Sequence, residues 1–276
     1  MSIRTELLCI GNELLIGKTL NTNAHWLAKR LTVLGATVQR ITVVRDDTKE
    51  IAAAIREVLK RRPSFAITTG GLGPTFDDRT FEGIAEALDM KLTINKKALA
   101  LVQSKYEALL KERQIEKVEM TPARVKMATF PENADPLHNP VGTAPGMLVR
   151  WKKTCLIALP GVPPEMEAIF EESIAQMVKE KVGSSIFFET SVFLDGIMES
   201  TLAPLIDRVM QDIPHVYIKS HVYTAAVVQV EGKKSHIELH FSTTAENQEA
   251  AEIRLNEAVA QLSNLVQNHG GRVKKA

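Results

Sequence analysis

The residues best placed to do chemistry lie in the segment TTGGLGPTFDDRT, Thr68 to Thr80. An apolar strand pattern runs straight into Gly70, Gly71 and Gly73, and a helical pattern begins just after Asp78. Glycines at such a junction allow positive φ and let the backbone approach a ligand closely. Free N–H groups and the positive end of a helix dipole then favour an anion such as phosphate. The competing reading is a tight turn in which Asp77 or Asp78 merely caps the helix. Two acids in one phosphate loop tip the balance, because they would repel a phosphate unless a divalent cation mediated or one of them served as N-cap. Carboxylates beside substrate phosphates are the usual way Mg²⁺ is held. Asp46 ends a neighbouring strand and Glu13 follows the first one, so three strand ends can converge on one acidic site.

Two further clusters stand at strand-to-helix junctions. In GNELLIGKTLNTN, Asn21, Thr22 and Asn23 precede a helix, and three capping types in a row exceed what a cap requires. Asn21 and Asn23 are therefore candidate ligand contacts, and Lys18 a candidate phosphate partner or a solvated lysine. In NPVGTAPGM and LPGVPPEM, Pro160, Gly161, Pro163 and Pro164 make a rigid turn that serves either as punctuation or as a third wall of the same cleft. His236 and His240 share a strand face without an acid or cysteine at metal-ligand spacing, so no metal is expected there. No GxSxG elbow, HExxH helix, Walker lysine or zinc-type CxxC occurs, which argues against serine-nucleophile and zinc-protease chemistry.

These clusters need a frame. Glu6–Ile10, Thr37–Val44 and Phe65–Thr69 read as strands, each followed by a helical stripe: Ala24 to Leu34, Ile51 to Leu59, and Phe81 to Leu88. Asp47 with Glu50 fits a capping box, which leaves Asp46 as the freer carboxylate. Such alternation means right-handed crossovers and a mostly parallel sheet with helices on both faces, an α/β fold. A helix is expected from Lys96 to Arg113, an irregular loop from Pro131 to Gly146, a hairpin at Lys152-Lys153, and a helix from Pro163 to about Lys181. Gly183 to Ser185 is the candidate boundary, giving a domain over 1–175 and a smaller α+β module over 185–276, with Arg272, Lys274 and Lys275 as a frayed tail.

The bulk numbers exclude more than they assign. In 276 residues, 45% are hydrophobic and 24% charged, an average globular composition. A net charge of +1 implies no global pull toward nucleic acid. Arg4 and Glu6 interrupt any apolar signal core, and no run approaches a membrane span, so a cytoplasmic protein without membrane partners is expected. Cys9 and Cys155 read as buried free thiols.

At GNELLIGKTLNTN, VVRDD, TTGGLGPTFDDRT, NPVGTAPGM and LPGVPPEM the chain resembles the CinA family (competence/damage-inducible protein A), within the molybdopterin-binding MoaB/MogA-like fold. The module after Gly183 resembles the KH-like second domain of CinA, with Gly196, Glu199 and Ser200 at matching places. The resemblance implies a metal-dependent pyrophosphatase acting on ADP-ribose or a related nucleotide such as FAD. It places Asp78 on the functional aspartate of the molybdopterin relatives and Thr80 on the threonine two residues later. Phe76-Asp77 replaces their Pro-Arg, which favours a metal-bridged diphosphate over direct pterin-phosphate binding. In that mechanism Gly70, Gly71 and Gly73 hold one phosphate. A divalent ion (Mg²⁺, Mn²⁺ or Co²⁺) on Asp78, with Asp77, Glu13 or the catalytic candidate Asp46 assisting, activates water. The alternative is a molybdopterin-binding or adenylyltransferase protein. The other class is RNA binding or scaffolding through the KH-like module; its only paired glycines are Gly270 and Gly271, so no nucleic-acid partner is expected and self-association through this module is favoured. A homodimer is the default assembly.

Overall fold

The computed structural model describes residues 3–184, 186–223 and 236–275. Alternation of apolar residues along the first strands feeds two separate cores. In β1 (Ile3–Ile10) Leu7 faces one core and Leu8 the other; in β3 (Phe65–Thr69) Ile67 and Ala66 divide the same way. A sheet buried on both faces by helices follows. β2 (Ala36–Val44) and β8 (Thr154–Leu159) complete a four-stranded parallel ladder in the order β2-β1-β3-β8. β7 (Gly146–Trp151) and β6 (Asp135–Leu137) extend it antiparallel, and β7 joins β8 through the expected hairpin.

The helices obey their stripes. α2 (Thr22–Val33) buries Leu27 and Leu31 on one face of the sheet, beside Met166 and Ile169 of α7 (Pro163–Ile169). α3 (Thr48–Arg61) and α4 (Thr80–Leu88) bury Ile51, Ile55, Val58, Ile84 and Leu88 on the other. Each fully buried aliphatic side chain contributes roughly 1.5–3 kcal/mol. Asp47 caps α3 by accepting from the Lys49 and Glu50 amides. The four-residue α1 (Asn12–Leu15) follows β1 directly.

The segment between α4 and β6 holds β4 (Leu92–Ile94), α5 (Lys96–Lys111), α6 (Pro122–Lys126) and β5 (Thr129–Pro131). Thr121 caps α6 with Pro122 at its first position. The stretch from Pro131 to Gly146 is not wholly irregular: β6 pairs with β7 within it. After α7 a π-helical turn, Phe170–Ile174, leads into α8 (Ala175–Val182). The chain divides into compact units at Met1–Val182 and Gly183–Ala276. The first unit runs past residue 175 because Ala175 and Val178 are buried in its second core.

The second unit is an antiparallel sheet, β10-β11-β9-β12, formed by β9 (Ile186–Asp195), β10 (Val216–Tyr223), β11 (His236–Ala245) and β12 (Arg272–Lys275). α9 (Glu199–Asp212) and α10 (Gln248–Asn268) share its core through Leu202, Val209, Leu255 and Leu262. Arg272–Lys275 is therefore not a frayed tail. It pairs with β9, and Lys274 meets Asp195 at 2.8 Å. His240 faces Glu189 at 3.0 Å, while the side chain of His236 lies outside the described residues. Cys9 and Cys155 are free thiols, but only Cys9 is fully buried. No helix among the described residues is long and apolar enough to cross a membrane.

Candidate functional site

β2 and β3 flank β1, so the chain leaves β1 to one side and returns to the other. Ligands of open α/β sheets bind beyond the carboxyl ends of the strands at such a switch point. Here that crevice lies where Gly11 follows β1 and Gly70 follows β3. Gly70 has φ +100°, and a Cβ there would stand 2.2 Å from the Ile10 carbonyl oxygen. No other residue fits that contact.

A cleft of about 360 Å³ opens at this point. It is walled by the turns after β1, β2, β3 and β8 together with the Thr143-Ala144 loop. The sequence clusters thus meet in space: Glu13, Asp46, Gly70, Gly71, Gly73, Asp77, Asp78, Pro160 and Gly161 all line it. A neighbouring hollow of about 90 Å³ shares Ile10, Glu13, Gly70 and Gly161, and holds Asn21 and Asn23. The asparagines therefore stand beside the main cleft. Asn21 caps α2 through the Ala24 amide. Asn23 donates to the Gly161 carbonyl at 2.8 Å, leaving its own Oδ1 buried without a partner among the described residues.

The glycine turn divides its labour unevenly. The Gly70 amide donates to the Leu159 carbonyl at 3.0 Å, so it is not available to a phosphate as the sequence suggested. The amides of Gly71, Leu72 and Gly73 have no acceptor among the described residues. They are the donors an anion can use. Thr80 is also reassigned: it is 0% exposed, and its hydroxyl donates to the Gly70 carbonyl at 2.7 Å. It shapes the loop instead of touching a ligand.

Neither aspartate caps α4, whose N-cap is Arg79 without a side-chain bond. Asp78 Oδ2 instead accepts from the Thr75 amide at 2.8 Å and stands 2.5 Å from the Thr75 hydroxyl. Asp77 Oδ1 lies 2.5 Å from the same hydroxyl, which holds its carboxyl below the ordinary range, helped by its own amide, Lys126 and Arg79. Asp78 lines the cleft, and its Oδ1 receives no bond among the described residues.

Asp46 behaves differently. Burial raises its pKa most, the Asn12 amide donating at 2.7 Å lowers it, and the charges of Glu13, Asp77 and Asp78 raise it further. Asp46 thus lies within electrostatic reach of Glu13, Asp77 and Asp78. Sequence reasoning missed a fifth, Glu165, in the first turn of α7. Asn139, 5% exposed, donates to Glu165 at 2.7 Å and to the Ala144 carbonyl, while its oxygen accepts the Val141 and Gly142 amides. The strings NPVGTAPG and LPGVPPEM contained this pairing without revealing it.

Among the described residues, five carboxylates and no lysine, arginine or histidine line the cleft. The nearby Lys126 donates to the Thr75 carbonyl. Yet no three His, Cys, Asp or Glu side chains among the described residues stand close enough to hold a metal ion by themselves. Thr75 engages Asp77 and Asp78, the two aspartates expected with Glu13 to hold a metal, in the loop's own hydrogen bonds.

Residues 6–180 match the family described as a probable molybdopterin binding domain. A protein of Sulfurisphaera tokodaii is 40% identical over 97% of either chain. One of Caldivirga maquilingensis is 42% identical over 94% of this chain and 95% of its own. A crystal structure of the protein CinA with unknown function from Thermoplasma acidophilum is 40% identical, with a TM-score of 0.58, over 64% of this chain and 98% of that one. With its glycine turn and acidic cleft carried on a mostly parallel sheet, the chain belongs to the molybdopterin-binding domain family as a CinA-like member.

Proposed function

We propose that the cleft binds a phosphorylated ring compound of the molybdopterin class, with a phosphate on the amides of Gly71, Leu72 and Gly73. The observation that carries this reading is that run of unpartnered amides at a switch point, within a domain of the molybdopterin-binding family. Phe76, 84% exposed between cleft residues Thr75 and Asp77, is available to stack on the ring. The test is equilibrium titration of purified molybdopterin into the protein. Saturable binding lost in Gly73→Val supports the reading, and no binding at any concentration removes it.

A specific observation favours a second reading, cleavage of a phosphoanhydride in ADP-ribose or FAD. A phosphate entering five carboxylates unmatched by any lining cation must bring a counter-charge. Mg²⁺ commonly enters with substrate phosphates and needs only one or two protein carboxylates; Asp78 and Glu13 of the cleft lining would supply them to Mg²⁺, Mn²⁺ or Co²⁺. Asp46, its pKa raised, then suits proton acceptance from a water. Release of AMP from ADP-ribose that requires the cation and falls at least tenfold in Asp46→Asn supports this reading. Equal rates in the variant would remove Asp46 from the chemistry.

For the second unit we propose self-association, supported by its exposed Met198, Tyr217 and Ile253. Sedimentation of the full chain tests it against a monomer.

A further inference from the structure

The end of the sheet opposite the acidic cleft holds a larger concavity, about 680 Å³. Its walls are the last two turns of α3 and the residue after it (Arg56, Leu59, Lys60, Arg62), Ala87 of α4, and the β7–β8 turn (Trp151 to Thr154). Among the described residues, five cations line it, Arg56, Lys60, Arg62, Lys152 and Lys153, and no carboxylate does. In a chain of net charge +1 this is a marked segregation, with carboxylates at the carboxyl ends of the strands and cations at the amino ends.

Local structure explains only part of it. A helix C-terminus favours basic residues, which accounts for Lys60 and Arg61. Lys60 meets Glu57 at 2.5 Å, and Arg56 donates to the Glu86 carbonyl. Arg62, Lys152 and Lys153 have no carboxylate partner among the described residues and are exposed across the same hollow. Arg4 adds its charge, donating to the Arg62 carbonyl at 3.3 Å. Trp151 contributes an aromatic wall, with the Lys152 ammonium 5.8 Å from its ring centroid. The volume lies in the range of small-molecule sites. A low-dielectric concavity lined by one sign of charge concentrates ligands of the other sign.

We infer that this hollow is a second binding site, separate from the acidic cleft, for a small polyphosphate-bearing molecule whose chain lies across Arg62, Lys152 and Lys153 beside the Trp151 indole. A nucleoside triphosphate and free tripolyphosphate share this chemistry.

The chain has two tryptophans, and Trp26 packs edge-on against Phe170 in the other core. Trp26→Phe therefore leaves Trp151 as the sole indole reporter. Titrating this variant with ATP, and separately with tripolyphosphate, is expected to change Trp151 emission saturably for both. Tighter binding of ATP identifies a nucleotide ligand, and equal binding a phosphate-chain ligand. The charge reversal Arg62→Glu with Lys153→Glu, both at exposed positions, should weaken either by at least tenfold, whereas Asp78→Asn should leave it unchanged. Unmodified emission, or equal affinity in the charge-reversed protein by calorimetry, overturns the inference. So does binding of a single-stranded oligonucleotide when neither small probe binds. Loss of binding in Asp78→Asn would show that the acidic cleft had been titrated instead.

Discussion

The Thr80 hydroxyl lies 2.7 Å from the Gly70 carbonyl and, in the same place, where a Cβ on Gly71 would come within 2.4 Å of it. One buried hydroxyl therefore ties down the first glycine and dictates the second. Gly71 also has φ +66°, which an L side chain adopts only at a cost. The glycine loop is held by the helix that follows it.

Thr80→Val should lower stability by about 1–3 kcal/mol, because a buried carbonyl loses its donor. Thr80→Ser should retain most of it. Chemical denaturation of the three proteins checks this, and a wild-type midpoint in the valine variant contradicts it.

Gly71→Ala should cost about 2–4 kcal/mol, from left-handed backbone strain and overpacking against Thr80. In the Thr80→Ala background the overpacking is relieved, so the double variant should be more stable than the sum of the singles predicts by about 1–2 kcal/mol. Strict additivity would mean that the two residues do not meet.

Much of this was legible in the sequence, and the reason is physical. The apolar runs at Glu6–Ile10 and Phe65–Thr69, the Asp47 cap and the glycines after Thr69 are local signals, and they were enough to place the parallel strands, α3 and the turn. What stayed hidden depended on long-range partners. Nothing local reveals that the Gly70 amide meets Leu159, that Thr80 points inward, or that Asn139 reaches Glu165 across 26 residues. Arg272–Lys275 looked like a tail because its charges mask a strand whose partner is almost eighty residues earlier. The role of Thr75 was hidden too: it sits within the motif as an unremarked polar residue yet engages both aspartates.

Asn139→Ala should destabilise the first unit by about 2–4 kcal/mol, leaving the Val141 and Gly142 amides and Glu165 without their partner. Amide exchange should show the loss concentrated at residues 139–144. A uniform loss across both units would contradict the assignment.

The pH dependence of Asp46 has a definite sign. Its pKa in the fold is raised above the unfolded value, chiefly by burial and then by the neighbouring carboxylates. The folded state thus holds this proton more tightly. That contribution is complete below the unfolded value and is lost as pH rises through the raised one. Asp46→Asn should therefore be more stable than wild type at pH 7 and match it near pH 3, as thermal melts across that range would show. A variant less stable than wild type at pH 7 would contradict the reading.

Removing the exposed ring in Phe76→Ala should weaken ring-bearing ligands by about 5- to 100-fold, the range of aromatic stacking on a base. Inorganic pyrophosphate, measured in the same buffer, should bind equally well to both proteins. A parallel loss for pyrophosphate would mean that the substitution disturbed the loop.

Whether the Gly71–Gly73 amides receive a phosphate at the head of the acidic cleft can be read from amide resonances. Titration of ADP-ribose with Mg²⁺ into isotopically labelled protein should shift Gly71, Leu72 and Gly73 saturably, while Gly70, bonded to Leu159, moves little. Without the cation the shifts should be much weaker, given the five carboxylates around the ligand. Saturable binding that leaves those three amides unmoved would contradict the account.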